Sequence, residues 1–374
     1  MAKTTLQQLC EYGQSVWLDY ISRSLLDSGR LKQLIEQGVR GLTSNPSIFH
    51  KAVSRSSDYD QTIREMKGVR KTTFEIYDNI TVRDVQDAAD LFERTYGQSG
   101  GLDGYVSLEI NPDLADDEEK TVAEGRRLQT RVDRKNIMFK VPATEAGLKA
   151  VTTLLAEGIN VNVTLIFSLQ QYAATAHAYL QGIETFVQHG GTASDVHSVA
   201  SVFVSRVDTM VDDMLHAGLN DPKDQEARGH VEELKGKAAV ANAVMIYDKY
   251  VEIFSSEKFR ELQKEGGAIQ RLLWGSTSTK NPAYSDTKYV TELIGKDTVN
   301  TIPQETLEAF LDHGVVREAL PGDVQKAQGI IHALGRRGIS IDDVCKKLLD
   351  DGVVTFQRAF YSLLEAIEKK TSKL

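Results

Sequence analysis

At 374 residues the chain is long enough for one large or two medium domains, and its 41% hydrophobic and 26% charged content is that of a soluble globular protein. A formal net charge of -9 with no Lys/Arg block argues against a nucleic-acid surface, and no apolar run approaches the length of a membrane span. Cys10 and Cys345, far apart and without metal-ligand spacing, argue against a disulfide scaffold and for a reducing compartment, the cytoplasm. Met1 to Trp17 is interrupted by Lys3, Gln7, Gln8 and Glu11 and lacks the apolar stretch of a signal peptide.

In chain order, strands are expected at Val16 to Asp19, Gly41 to Asn45, Tyr105 to Ile110, Ile137 to Val141, Val161 to Phe167, Ser201 to Ser205, Arg271 to Thr277 and Val299 to Ile302. Helical patterns lie between them, including Gly29 to Glu36, Val82 to Tyr96, Glu119 to Val132, Glu145 to Ala156, Leu169 to His189, Gly236 to Phe254 and Ser285 to Leu293. Parallel strands need such crossovers, so the alternation predicts an α/β protein with a parallel sheet. Eight strand-helix units close a (β/α)8 TIM barrel, and the open-sheet alternative lacks a Gly-x-Gly-x-x-Gly after its first strand. The whole chain, 1–374, then reads as a single barrel domain. Helical insertions fall at about 46–104 and 206–270, with a C-terminal helical extension at about 304–374. The acidic cluster from Asp113 to Lys120 reads as charge bias at a helix N-terminus rather than a metal site.

The strand Ile137 to Val141 poses the chemical question. Alternation puts Lys140 on one face with Met138, and Ile137, Phe139 and Val141 on the other. A lysine at a strand end commonly reaches solvent. One facing an enclosed interior is instead a poorer ammonium and a better nucleophile toward carbonyls.

A barrel gathers its chemistry at the C-terminal ends of the strands, and polar residues recur there. They are Asp19, Asn45, Glu109, Lys140, Asn162 with Thr164 on one face, Ser201 leading to Arg206, and the run Gly275 to Asn281. Taken singly, each is as readily a cap or turn former. Together they support Schiff-base chemistry, in which Lys140 condenses with a ketone or aldehyde and Asp19 and Glu109 move protons. A structural ion-pair cluster is the competing reading. Asn45, Asn162, Thr164 and Ser201 suit sugar hydroxyls, while Arg206, Ser276 and Lys280 suit a phosphate. None of the eight histidines falls on an expected strand, which favours the lysine route over a metal-dependent one and calls for no metal or cofactor.

Several stretches together resemble transaldolase. They are Val16-Trp17-Leu18-Asp19, Thr43-Ser44-Asn45-Pro46-Ser47, Val106-Ser107-Leu108-Glu109, Lys140-Val141-Pro142-Ala143-Thr144, Asn162-Val163-Thr164 and Ser201-Val202-Phe203-Val204-Ser205-Arg206. The match runs to Asn300-Thr301-Ile302-Pro303, and the long interval after Pro46 is similar to the bacterial long-chain branch of that family. The resemblance implies transfer of a dihydroxyacetone unit from sedoheptulose 7-phosphate to glyceraldehyde 3-phosphate, a step of the pentose phosphate pathway. It implies Lys140 as the Schiff-base lysine, Asp19 as acid/base at the C4 hydroxyl, and Glu109 acting with Thr164 through a held water. Asn45, Asn162 and Ser201 would hold the three-carbon unit, and Arg206, Ser276 and Lys280 the phosphate. The expected partners are therefore sugar phosphates, with no nucleic acid or membrane, and the protein is either a monomer or a homodimer. Two alternatives stay open: an aldolase releasing free dihydroxyacetone, and a barrel that binds sugar phosphates without turnover.

Overall fold

The computed structural model describes residues 3–218 and 225–374. Its eight strands are β1 (Gln14–Leu18), β2 (Val39–Thr43), β3 (Val106–Glu109), β4 (Ile137–Pro142), β5 (Val161–Ile166), β6 (Ser198–Phe203), β7 (Arg271–Gly275) and β8 (Thr298–Ile302). Each pairs in parallel with the next, and β8 closes on β1 through Trp17 opposite Thr301, so the sheet is a closed (β/α)8 barrel. No helix among the described residues is long and apolar enough to cross a membrane.

Three helices, Pro46–Arg55, Asp60–Gly68 and Thr73–Gln98, occupy the interval after β2. The third begins nine residues before the expected Val82, because Thr72 and Glu75 form a reciprocal capping box. Four helices lie between β6 and β7 among the described residues, and the C-terminal part ends in a 33-residue helix, Ile341–Lys373. In the acidic cluster, Asp117 caps the helix Glu118–Val132, with Glu118 and Glu119 in its first turn.

Strands β1, β2 and β6 start two or three residues earlier in the chain than their apolar pattern suggests. β2 stops at Thr43, and Asn45 becomes the N-cap of the next helix, its side-chain oxygen accepting from the Ile48 amide at 3.0 Å. β6 starts at Ser198, whose hydroxyl donates to the Val161 carbonyl at 2.7 Å and accepts from Gln270. Ser201 is therefore mid-strand, and Arg206 sits in the first turn of the helix Ser205–Ala217.

The barrel interior has a polar floor, an apolar middle and a polar mouth. Trp17, Tyr105, Met138, Val199, Leu273 and Val299 fill the middle, while Ile137, Phe139 and Val141 face the surrounding helices. Gly41 makes room for the indole, since a Cβ there would lie 2.7 Å from the Trp17 ring. At the floor, Arg271 donates to Asp103 and to Ser15, each at 2.8 Å, and the Trp17 indole also donates to Asp103. This ion pair is almost fully buried, and Asp103 also accepts from Ser15 and from the Trp17 indole, which is what makes it tolerable there. Asp103→Ala strands the guanidinium, and urea unfolding is expected to show a loss of about 3–5 kcal/mol.

Candidate active site

The mouth of the barrel opens into a cavity of about 900 Å³. Lys140 reaches it from the end of β4 with a side chain only 6% exposed. Its Nζ lies 2.8 Å from Glu109 Oε2 and donates to the Ser44 carbonyl at 2.9 Å. Both neighbours follow from parallel register: Glu109 on β3 pairs directly with Lys140, and Ser44 immediately follows β2. Glu109 sits behind the amine and does not line the cavity, whereas Lys140 and Asp19 both do.

Asp19 follows β1, its backbone amide held by the Ile302 carbonyl at 2.9 Å. Its carboxylate accepts from Thr43 Oγ1 at 2.8 Å, and Thr43 lies 2.6 Å from Thr301 Oγ1. A hydroxyl has one proton, so while Thr43 donates to Asp19, Thr301 donates to Thr43. Burial holds Asp19 above the usual carboxylate range, opposed by the nearby Lys140 ammonium and by the Thr43 hydroxyl. Glu109 is likewise pushed up by burial, with Lys140 opposing and the Asp19 charge adding to the rise.

On the opposite wall, Asn162 donates to Ser107 Oγ at 3.0 Å and accepts from Ser201 Oγ at 2.5 Å. Thr164 Oγ1, on the same face of β5, is buried without a hydrogen-bond partner among the described residues. The residue after it, Leu165, has φ 58°, an uncommon left-handed conformation for a branched side chain, at an irregularity in the β5–β6 ladder. Farther out, Arg206 stacks on Phe203 at 5.4 Å and makes no ion pair among the described residues. Lys280 donates to Ser278 at 2.7 Å, while the Ser276 hydroxyl lies 3.1 Å from that of Ser205. Two tyrosines after β7 tether that segment to the helix carrying Arg206: Tyr284 donates to Asp212 and Tyr289 to Asp208.

The fold thus gathers Asp19, Asn45, Lys140, Asn162, Thr164, Ser201, Arg206, Ser276 and Lys280 around one cavity, with Glu109 directly behind the lysine. Sequence reasoning missed the roles of Thr43, which donates to Asp19, and of Thr301, which holds Thr43. Thr43 was open to detection, since strand alternation puts it on the same face of β2 as Gly41. It also missed Phe356, contributed by the C-terminal helix, whose ring centroid lies 5.7 Å from Lys140 Nζ.

Chemically, the arrangement offers an amine that can be desolvated, a carboxylate to receive its proton, and a second carboxylate across the opening. Polar groups and cations lie farther along the same cavity. The chain matches the family model described as Transaldolase/Fructose-6-phosphate aldolase over residues 16–367. It is similar to the transaldolase of Trichodesmium erythraeum, at 41% identity over 100% of this chain and 99% of the relative. It is also 44% identical to that of Saccharopolyspora erythraea, over 98% of each chain. A transaldolase of an Arthrobacter species is 45% identical over 98% of this chain and 97% of its own. The chain belongs to the transaldolase/fructose-6-phosphate aldolase family.

Proposed function

We propose that the protein, a transferase of the transaldolase type, moves a dihydroxyacetone unit from sedoheptulose 7-phosphate to glyceraldehyde 3-phosphate through an imine on Lys140. The observation that carries this is the buried Lys140 Nζ, 2.8 Å from Glu109 and facing the cavity that Asp19 lines. Helices in the intervals 46–104, 206–270 and 304–374 are read as additions to one barrel domain. The two free cysteines fit a cytoplasmic setting.

To attack the ketose C2, Lys140 must give up a proton, and Glu109 is placed to receive it. That proton then leaves with the carbinolamine hydroxyl as water, which the Thr164 hydroxyl, without a hydrogen-bond partner among the described residues, can hold. The iminium draws electrons from C2 and readies the C3–C4 bond for cleavage. Asp19 takes the proton of the C4 hydroxyl, the bond breaks, and an aldehyde departs from an enamine. When the acceptor aldehyde arrives, C3 attacks it and Asp19 returns the proton to the new alkoxide. Asn45, Asn162 and Ser201 hold the three-carbon unit, and Arg206, Lys280 and Ser276 receive the phosphate.

Product analysis tests this reading. Fructose 6-phosphate and erythrose 4-phosphate should yield sedoheptulose 7-phosphate and glyceraldehyde 3-phosphate, whereas steady release of free dihydroxyacetone would mark an aldolase. Glu109→Gln removes the acceptor for the Nζ proton, and the rate of imine formation is expected to fall about 10²–10³-fold. Borohydride trapping at timed intervals after mixing with fructose 6-phosphate measures that rate.

A further inference from the structure

We propose that Phe356 is a specificity-determining residue that keeps water from the lysine-bound three-carbon unit and so favours transfer over hydrolysis. This rests on the Schiff-base reading above. Phe356 belongs to the helix Ile341–Lys373, lines the cavity and is 8% exposed. Its ring lies against Phe203 with centroids 6.4 Å apart, and Phe203 in turn packs on Phe167 at 5.6 Å. An apolar aromatic wall therefore stands beside the reacting amine in a mouth otherwise rich in polar groups.

The helix is fixed in that place along its length. Gly352 abuts the side chain of Leu165, and a Cβ there would come 2.9 Å from Leu165 Cδ2, so β5 and the helix meet closely next to Thr164. One turn beyond Phe356, Tyr361 donates to Asp113 at 2.8 Å, and near the end Lys370 donates to the Ser56 carbonyl at 2.7 Å. Phe356 is thus held over Lys140 by contacts to segments that follow β2 and β3 as well as to β5 itself.

After C3–C4 cleavage the enamine waits for an acceptor. Water arriving first gives a proton to C3 and hydroxide to C2; the C2–Nζ bond then breaks, releasing dihydroxyacetone and restoring the free amine. One water is consumed and the three-carbon unit is lost. A ring face at 5.7 Å from Nζ occupies space through which that water would approach. It also favours a cationic iminium electrostatically.

The test compares dihydroxyacetone released from fructose 6-phosphate without acceptor with transfer in the presence of erythrose 4-phosphate, in the full chain and in Phe356→Ala and Phe356→Leu. Opening the wall should raise the ratio of release to transfer about tenfold in the alanine variant, with a smaller rise for leucine, because exclusion of water is what suppresses such side reactions. If alanine prevents folding, the leucine variant decides. Folded variants that trap an adduct on Lys140 yet partition like the parent chain would overturn this proposal alone. Absence of any Lys140 adduct in the parent chain would overturn the Schiff-base reading and this proposal with it.

Discussion

Lys140→Met is expected to abolish covalent adduct formation and to lower turnover by at least about 10⁴-fold, the scale seen when a nucleophile acting with its partners is removed. Methionine is close to lysine in length and apolar, so the space beside Glu109 and beneath Phe356 stays filled. Glu109, already raised by burial, takes up a proton once the ammonium is gone, and avoids becoming a lone buried charge. The variant should therefore fold, which circular dichroism and thermal unfolding check, and its inactivity belongs to chemistry. Trapping with borohydride and assaying transfer on the same sample separates these two outcomes.

Asp19→Asn is expected to give the second largest effect, with a different signature. Imine formation depends on Lys140 and Glu109 and should persist, while kcat falls about 10²–10⁴-fold for want of a base at the C4 hydroxyl. The variant should accumulate an adduct that retains the whole sugar, visible by mass as a hexose phosphate on Lys140. The pH profile follows from the same burial. Asp19 must be ionised to accept a proton and is held above the usual carboxylate range, so cleavage should be lost on the acid side at a higher pH than for an exposed aspartate.

Stability should move the other way. A carboxyl whose folded pKa is raised binds its proton more tightly in the native state, so the parent chain loses stability as pH rises from the ordinary aspartate value through the raised one. An amide at this position does not titrate, so the unfolding midpoint of Asp19→Asn should exceed the parent's at neutral pH and approach it in acid. Equal midpoints at both pH values would show that Thr43 and Lys140 fully offset the burial of this carboxyl.

Much of this site was legible because strand alternation and barrel topology are strong constraints. Met138 and Lys140 share the inner face of β4 as the period of two requires, and parallel register then brings Glu109 beside Lys140 without any long-range guess. Asn45 shows two readings holding at once: it caps a helix and also lines the cavity. Boundaries were less legible where small residues open a strand, as with Ser198 and Ala200 in β6, since they carry little apolar signal. Phe356 was hidden for a different reason. Its position in an amphipathic helix looks like any core-facing aromatic, and the tertiary packing of Gly352 on Leu165 and of the Phe356 ring beside Lys140 is what brings it to the barrel mouth. The Arg271–Asp103 floor was equally silent, because the two residues lie 168 positions apart and neither belongs to a local motif.

The most direct measurement is borohydride trapping of the purified protein with fructose 6-phosphate, followed by peptide mass spectrometry, with and without erythrose 4-phosphate. A three-carbon adduct on Lys140 that disappears when acceptor is present is the predicted result, and it fixes both the nucleophile and the transfer. No adduct on any lysine, in protein that binds the sugar phosphate, would contradict the Schiff-base account and return the cavity to the status of a binding site.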